Sequence, residues 1–520
     1  MDLSRRALLL GGLAAGLGGC AIAERPSPGP ESAVEHPLVI RGGRVVDPAQ
    51  RFDAPADVAI QDGRVVAVGP SLRGQVVLDA TDCVVAPGFI DLHSHAQTVV
   101  GNWLQAHDGV TTALELEAGA GPVAAAYAQA ASVGRPLNYG YSASWAIARI
   151  EALTGPRADR SPRSVLARMG DPSWQREATS AEEDRIIGLL EAELAAGALG
   201  IGVLLGYAPG TGTNEYLRVA RLAASRRVPT YTHSRALVGA GATRRDRPDG
   251  AAELVRAARE TGAHMHYCHV NSTSGRSIDR VLALVDRVRR EGATVTTEAY
   301  PYGAGMTGIG AAFLSPERLA EIGVRPSDIV HMPRNERVRD ADELRRIRAA
   351  DPGRLAIIHF LDETKPADVK VIRASLIHAD TMVASDAMPL SGPGAAGAPV
   401  WPLPPGGVTH PRSAGTFGRA YRHLVGERVV SLTEFIRRAS VLPARILEAA
   451  TGGAARKGTL AVGADADVVV FDPAAFRDRA TYEASTQTSA GVRHLLVAGA
   501  PVIRDGALLI EARPGRPVRA

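Results

Sequence analysis

Apolar residues along this chain fall into two textures. From Leu38 to Val85 they come as short β-rich pieces, LVIRGGRVVD, DVAIQDGRVVAVG and VVLDATDCVVAPG, each broken by Gly or Asp, which predicts strands joined by tight turns. The same texture returns near the far end in GTLAVGADADVVVFDP and GVRHLLVAGAPVIRDGALL, and the two ends together predict one small β-sandwich over residues 37–86 and 455–520. Between them, over 87–454, apolar runs such as TTALELE, ALGIGVLLG, VPTYTH, HMHYCHV, TVTTEAYPY, LAIIHF and TMVASD alternate with helical patterns such as SAEEDRIIGLLEAELAAG and SIDRVLALVDRVRREG. Strand–helix alternation over this length predicts an α/β fold with a parallel sheet and crossovers. A closed (β/α)8 TIM barrel is the commonest single-domain solution. In such barrels the catalytic side chains sit at the carboxyl ends of the strands.

The amino terminus reads differently. Residues 1–20 contain Ser4-Arg5-Arg6-Ala7-Leu8, which resembles a twin-arginine export signal, and an apolar run, Ala7 to Gly19. That run is shorter than the about 20 residues that span a bilayer. Leu17-Gly18-Gly19-Cys20 resembles a bacterial lipobox, in which Cys20 would be acylated; an ordinary cleaved secretory signal is the alternative. Residues 21–36, rich in Pro, Ser and Glu, would then be a tether. The expected location is the periplasm, with membrane contact only through a lipid anchor at Cys20.

Composition narrows the chemistry. Over 520 residues, 45% hydrophobic and 22% charged, the chain is globular and excludes a disordered or fibrous class. A net charge of +4 without a basic block gives nothing for nucleic acid to grip. The only lysines are Lys365, Lys370 and Lys457. Cys20, Cys83 and Cys268 are too few for a disulfide framework or a multi-cysteine zinc site, so any metal must rest on His, Asp and Glu.

Those residue types recur where strands end. Gly88-Phe89-Ile90-Asp91-Leu92-His93-Ser94-His95 places two imidazoles two residues apart after an apolar strand, where alternation turns both to one side. Further candidates end other strands: His233 in TYTHSR, His269 in HYCHVN and Asp386 in VASDAM. A buried His or Asp without a partner costs several kcal/mol, and a divalent cation satisfies all of them together. Cys268, beside His269, is expected to point away from the cation and pack, and the other histidines, His264 and His266 among them, read as core or surface.

With these residues the chain resembles the amidohydrolase superfamily and, within it, the D-aminoacylase (N-acyl-D-amino-acid deacylase) family. The resemblance extends through GALGIGVLLGYAPG, EGATVTTEAYPYGAG, THPRSAGTFGR and SVLPARILEAATGGAARKGTLAVGADADVVVFDP. It implies a barrel with a β-sandwich and a zinc site of one or two ions, with manganese or cobalt as alternatives. His93, His95 and Asp386 would hold one metal position and His233 with His269 the other, joined by a bridging anion. The carboxylated lysine that bridges in many superfamily members has no counterpart, since no lysine precedes residue 365. Where D-aminoacylases use a cysteine after the second strand, GVTTALELEAGA has Ala118, so the bridge falls to a nearby carboxylate: Glu117, closer to the strand's carboxyl end, with Glu115 as the alternative.

The implied reaction is hydrolysis of a linear C–N amide bond by metal-activated water, with Asp386 as general base and then acid. Arg412 and a tyrosine of Tyr300-Pro301-Tyr302 match the family's anchors for a substrate carboxylate, and Asn271 stands where the family usually has a lysine. The expected partner is a small-molecule N-acyl amino acid or a related amide. Dipeptide, cyclic-amide or lactone hydrolysis on the same scaffold is the runner-up, and a metal-binding lipoprotein without turnover comes after it. Superfamily deaminases place a Glu where Ala236 stands, and phosphotriesterases use the missing lysine, which ranks both lower. The oligomeric state is not legible in the sequence.

Overall fold

The computed structural model describes residues 35–156, 162–235, 249–453 and 456–520. The expected export signal with Cys20, nearly all of the 21–36 tether, and Ala236 lie outside them. Eight parallel strands form the central sheet, in the order of the chain: Phe89–Asp91, Val110–Ala120, Asn138–Ser144, Ile201–Val203, Thr230–Thr232, Met265–Tyr267, Val295–Ala299 and Thr381–Val383. These are the first to eighth barrel strands below. The first and eighth meet through a side chain: Asp91 accepts hydrogen bonds from the Ser385 backbone N–H at 3.0 Å, from the Ser385 hydroxyl and from Gln105 Nε2 at 2.6 Å. The His95 N–H, donating to the Ala387 carbonyl at 2.7 Å, extends the seam. Among the described residues no helix is long and apolar enough to cross a membrane.

Crossover helices carry the signals their sequences announce. Ser180–Ala195 opens with a capping box, in which Thr179 Oγ1 accepts from the Glu182 N–H at 3.3 Å and Glu182 accepts from the Thr179 N–H at 2.8 Å. Ile278–Arg290 buries Ile278, Val281, Leu282, Val285 and Val288 along one face and places Arg287, Arg289 and Arg290 in the last turn, where they oppose the helix dipole.

Two strand assignments change. The run LAIIHF is not a barrel strand: Leu355–His359 pairs antiparallel with Ala304–Gly308 and with Ile329–His331, and Glu336–Arg337 completes a separate four-stranded sheet between the seventh and eighth barrel strands. A short apolar run carries no mark of which sheet it joins. The third barrel strand, NYGYSAS, escapes the reading because Asn, Gly and Ser weaken its strand signal, although every residue of it is buried.

Strands from both ends of the chain pair in one nine-stranded sheet. Glu35–Asp47 and Val84–Pro87 lie beside Val468–Phe471, and Ile40, Val45, Val58, Val85, Leu460 and Val468 are part of its core. An aromatic cluster ties this sheet to the barrel: Phe89 of the first strand packs on Phe417 at 5.3 Å, on Phe476 at 6.1 Å and on Phe471 at 6.3 Å between ring centroids. A buried ion cluster adds a second tie. Lys457 Nζ lies 2.5 Å from Asp467 and 3.0 Å from Asp465, and Asp467 also accepts from Asn138 Nδ2 of the third barrel strand at 2.9 Å. Asp465 keeps a second cation in Arg64, but the buried Asp467 loses its ion-pair partner without the ammonium, so Lys457→Ala is expected to destabilise the fold by about 3–5 kcal/mol. A thermal melt checks it, and an unchanged Tm would show that the aspartates do not depend on the ammonium.

Candidate metal centre and active site

All the chemistry-bearing residues expected at strand ends converge at one rim. His93 and His95 follow the first strand, Glu115 and Glu117 lie on the second, His233 follows the fifth, His269 the sixth and Asp386 the eighth. Two of them adopt left-handed backbone, His269 with φ 32° and Asp386 with φ 50°, a conformation that costs non-glycine residues energy and clusters at functional sites. In both cases the chain has just left its strand and turns sharply to aim the side chain inward.

One carboxylate organises the set. Glu117 Oε1 lies 2.8 Å from His233 Nδ1 and 2.8 Å from His269 Nε2, while Oε2 faces His93 Nε2 at 3.3 Å and His95 Nε2 at 3.4 Å. Asp386 Oδ1 approaches the same two nitrogens at 3.4 and 3.3 Å, and these nitrogens are themselves 3.2 Å apart. Zinc bonds nitrogen and oxygen at about 2.0–2.1 Å in a tetrahedron, whose corners then lie about 3.3–3.4 Å from one another. His93, His95 and Asp386 thus offer three ligand atoms at zinc-sized separations, and Glu117 Oε2 approaches both imidazole nitrogens at like distances. Glu117 spans from them to the second pair, His233 and His269, whereas Glu115 binds elsewhere: both its oxygens accept from His95 Nδ1 at 2.9 Å.

A layer behind the imidazoles fixes their tautomers. With Glu115 on His95 Nδ1 and Glu298 Oε1 on His93 Nδ1 at 2.5 Å, both histidines turn the Nε2 lone pair toward the shared centre. Glu298, on the seventh strand, also accepts from His266 Nε2 at 3.0 Å, and His266 Nδ1 meets Thr296 Oγ1 at 2.9 Å. Sequence reading passes over Glu298 and leaves His266 as core. The signal was an acidic residue inside the apolar run TVTTEA, where a buried carboxylate demands partners. Cys268 also departs from expectation. It faces the barrel interior beside His93 and Glu298, packed in the cluster of Leu92, Tyr231 and Met382, because it keeps the alternation that turns His266 inward, whereas His269 departs from it through its left-handed turn.

Electrostatics show what the cluster lacks. Burial disfavours a proton on His93, yet Glu117, Asp386 and Glu298 raise its pKa well above the ordinary imidazole value; His95 is raised against burial by Glu115 and Asp386. Glu117 is held well below the usual carboxylate range, against burial, by His93 and His233. The carboxylates draw positive charge onto the imidazoles, and a divalent cation meets the same demand while leaving both Nε2 atoms free to ligate.

Comparison with known proteins agrees with this geometry. The amidohydrolase family model matches residues 76–503. Over 93% of this chain and 96% of its own length, an N-acyl-D-glutamate deacylase of Alcaligenes xylosoxydans xylosoxydans is 31% identical, and an N-acyl-D-aspartate deacylase of the same organism is 28% identical over 92% and 94%. The crystal structure of an N-acyl-D-glutamate deacylase from Bordetella bronchiseptica, complexed with zinc and a phosphonate mimic of the tetrahedral intermediate, superposes with a TM-score of 0.73 at 27% identity, covering 94% of this chain and all of that one. The chain belongs to the amidohydrolase family. It is a metal-dependent hydrolase of linear amide bonds, with zinc as its cofactor.

The amidohydrolase centre opens into a cavity of about 1350 Å³. Of the residues expected to meet substrate, Tyr300 lines it and the others lie behind its wall. Asn271 Nδ2 donates to the Tyr300 carbonyl at 3.0 Å and so holds the tyrosine loop. Tyr302 is fully buried under the Arg419 guanidinium at 4.3 Å. Arg412, also buried, donates from Nη2 to Asp386 Oδ2 at 2.9 Å and from Nε to the Asp386 carbonyl at 2.6 Å, and stacks on Tyr300 at 4.7 Å. Its Nη1 has no hydrogen-bond partner in the structure and lies behind Gly305 in the cavity wall. Against burial, Arg412 and His93 hold the Asp386 carboxyl below its ordinary value.

Loss of a carboxylate behind a ligating histidine typically weakens metal binding 10–100-fold, so Glu298→Gln is expected to lower zinc affinity by about that factor. Competition with a zinc chelator measures it. Wild-type affinity in the variant would show that His93 is oriented without Glu298.

Proposed function

We propose that this amidohydrolase removes the acyl group from N-acyl-D-amino acids. The observation that carries the reading is a corner beside Asp386. There the Tyr300 hydroxyl and the unpaired, buried Arg412 Nη1 lie 3.4 and 3.8 Å from the position a Cβ on Gly305 would take. Glycine puts no side chain in front of them, and a hydroxyl with a guanidinium nitrogen suits a carboxylate. A substrate whose carboxylate lies so near the site of bond cleavage is an acylated amino acid. Three relatives that match over 90% or more of this chain, an N-acyl-D-glutamate deacylase, a D-aminoacylase and an N-acyl-D-aspartate deacylase, support the D configuration.

His93, His95, Glu117 and Asp386 would hold one zinc, and His233 and His269 with the second oxygen of Glu117 would hold another. When bound, zinc supplies an electrophile for the amide carbonyl and a water of lowered pKa. Asp386 accepts the proton of the attacking water and returns it to the departing nitrogen. Arg412 keeps Asp386 ionised and aimed for that task, and with Tyr300 it orients the substrate carboxylate so that the amide carbon faces the attacking water.

Incubating the zinc-loaded protein with N-acyl-D- and N-acyl-L-amino acids, matched amides lacking the carboxylate, dipeptides, cyclic amides and lactones tests the reading. Zinc-dependent turnover of the N-acyl-D-amino acids is expected. Preference for a carboxylate-free amide, a ring substrate or a dipeptide would overturn it, as would stoichiometric zinc with no turnover of any of them. The export signal and lipobox support a further reading, a periplasmic protein anchored through Cys20. Cell fractionation checks it, with Cys20→Ser expected to release the protein from membranes.

A further inference from the structure

We infer that the substrates of this site carry long, flexible aliphatic acyl chains; this rests on the deacylase reading above and names the acyl group. The carboxylate corner lies on the Asp386 side of the centre, so the acyl group leaves across Glu117 toward His233. From His233 outward one side of the wall is apolar, while Arg135, Arg276, Glu321, Asp351 and Arg354 also line the cavity. Tyr207 packs on His233 at 4.6 Å and Phe313 on Tyr207 at 5.3 Å between ring centroids. Beyond them, Met169 and Leu166 approach Gly308, their side chains 3.2 and 3.5 Å from where its Cβ would sit. All four side chains line the cavity.

Two features set the occupant. The cavity of about 1350 Å³ far exceeds what an acetylated amino acid fills, since pockets for drug-sized ligands run about 300–1,000 Å³. Four of the chain's seven methionines, Met169, Met306, Met332 and Met388, line it. Unbranched thioether side chains adapt to apolar ligands of variable shape, which fits a chain with many conformers. The small sheet between the seventh and eighth barrel strands supplies Met306 and Ile358 to the cavity, and the turn after Ile329–His331 adds Met332, so that Met306 and Met332 pack with Met388 on the Asp386 side and Met169 stands on the His233 side. The reaction stays balanced: water adds to the amide carbon, the C–N bond breaks, the nitrogen takes the proton that Asp386 returns, and a fatty acid and an amino acid leave.

The test is a series of acetyl, hexanoyl, decanoyl and myristoyl derivatives of one D-amino acid with the zinc-loaded full-length chain, together with calorimetric binding of myristate. Each methylene moved from water to an apolar wall favours binding several-fold, so kcat/KM is expected to rise at least about a hundredfold from acetyl to decanoyl, carried mainly by KM. Myristate is expected to bind, and Met169→Glu to cut the decanoyl-to-acetyl ratio by about tenfold or more. A flat or falling series with good turnover of the acetyl compound, and no myristate binding, would overturn the inference and leave the deacylase reading standing. Myristate binding without cleavage of any N-acyl amino acid would do the reverse.

Discussion

Replacing Glu117 by alanine is expected to strip the protein of its metal and abolish amide hydrolysis. No neighbour has the reach to take over, because Glu117 alone turns one oxygen to His93 and His95 and the other to His233 and His269. Both metal positions lose an anionic ligand at once, leaving one with two imidazoles and Asp386 and the other with two neutral imidazoles. Glu115→Ala is expected to behave differently. It frees His95 Nδ1 but removes none of the ligand atoms, so metal content falls far less, by about the 10–100-fold in affinity typical of such supporting groups. Elemental analysis of the two purified variants separates the roles, and a Glu117→Ala protein retaining wild-type zinc would reject the bridging assignment.

Asp386→Asn is expected to lower kcat by roughly 10²–10⁴, the contribution of a positioned general base, while much of the metal remains. Asparagine keeps the shape and an oxygen toward His93 and His95 but cannot accept and return a proton, and it loses the ion pair with Arg412. The measurement is the split between zinc content and turnover. Near-normal kcat in a metal-loaded variant would remove Asp386 from the proton path.

Much of this centre is written in local sequence. An imidazole or carboxylate at the end of an apolar strand is conspicuous, and His93, His95, His233, His269 and Asp386 each announce themselves that way. The difference between Glu115 and Glu117 is not legible. Both are buried on one strand two residues apart, and only the three-dimensional positions of His233 and His269 decide which can span. Glu298 is silent for another reason: its partners, His93 and His266, come from different strands, so no spacing in the chain betrays the contact. The same holds for Arg412. Its motif marks it as a carboxylate anchor, but that two of its nitrogens are engaged by Asp386 follows only from the fold. In the fold itself, LAIIHF misleads because sheet membership is a non-local property. NYGYSAS is missed because burial by neighbouring helices, rather than strand propensity, makes it a strand.

The aromatic seat of Phe89 has a consequence for biogenesis. The strand that presents His93 and His95 leans on Phe417, Phe471 and Phe476, all made much later in synthesis. Early in translation that strand therefore lacks the surface that positions it, and zinc loading must wait until the distal strands have emerged from the ribosome and docked.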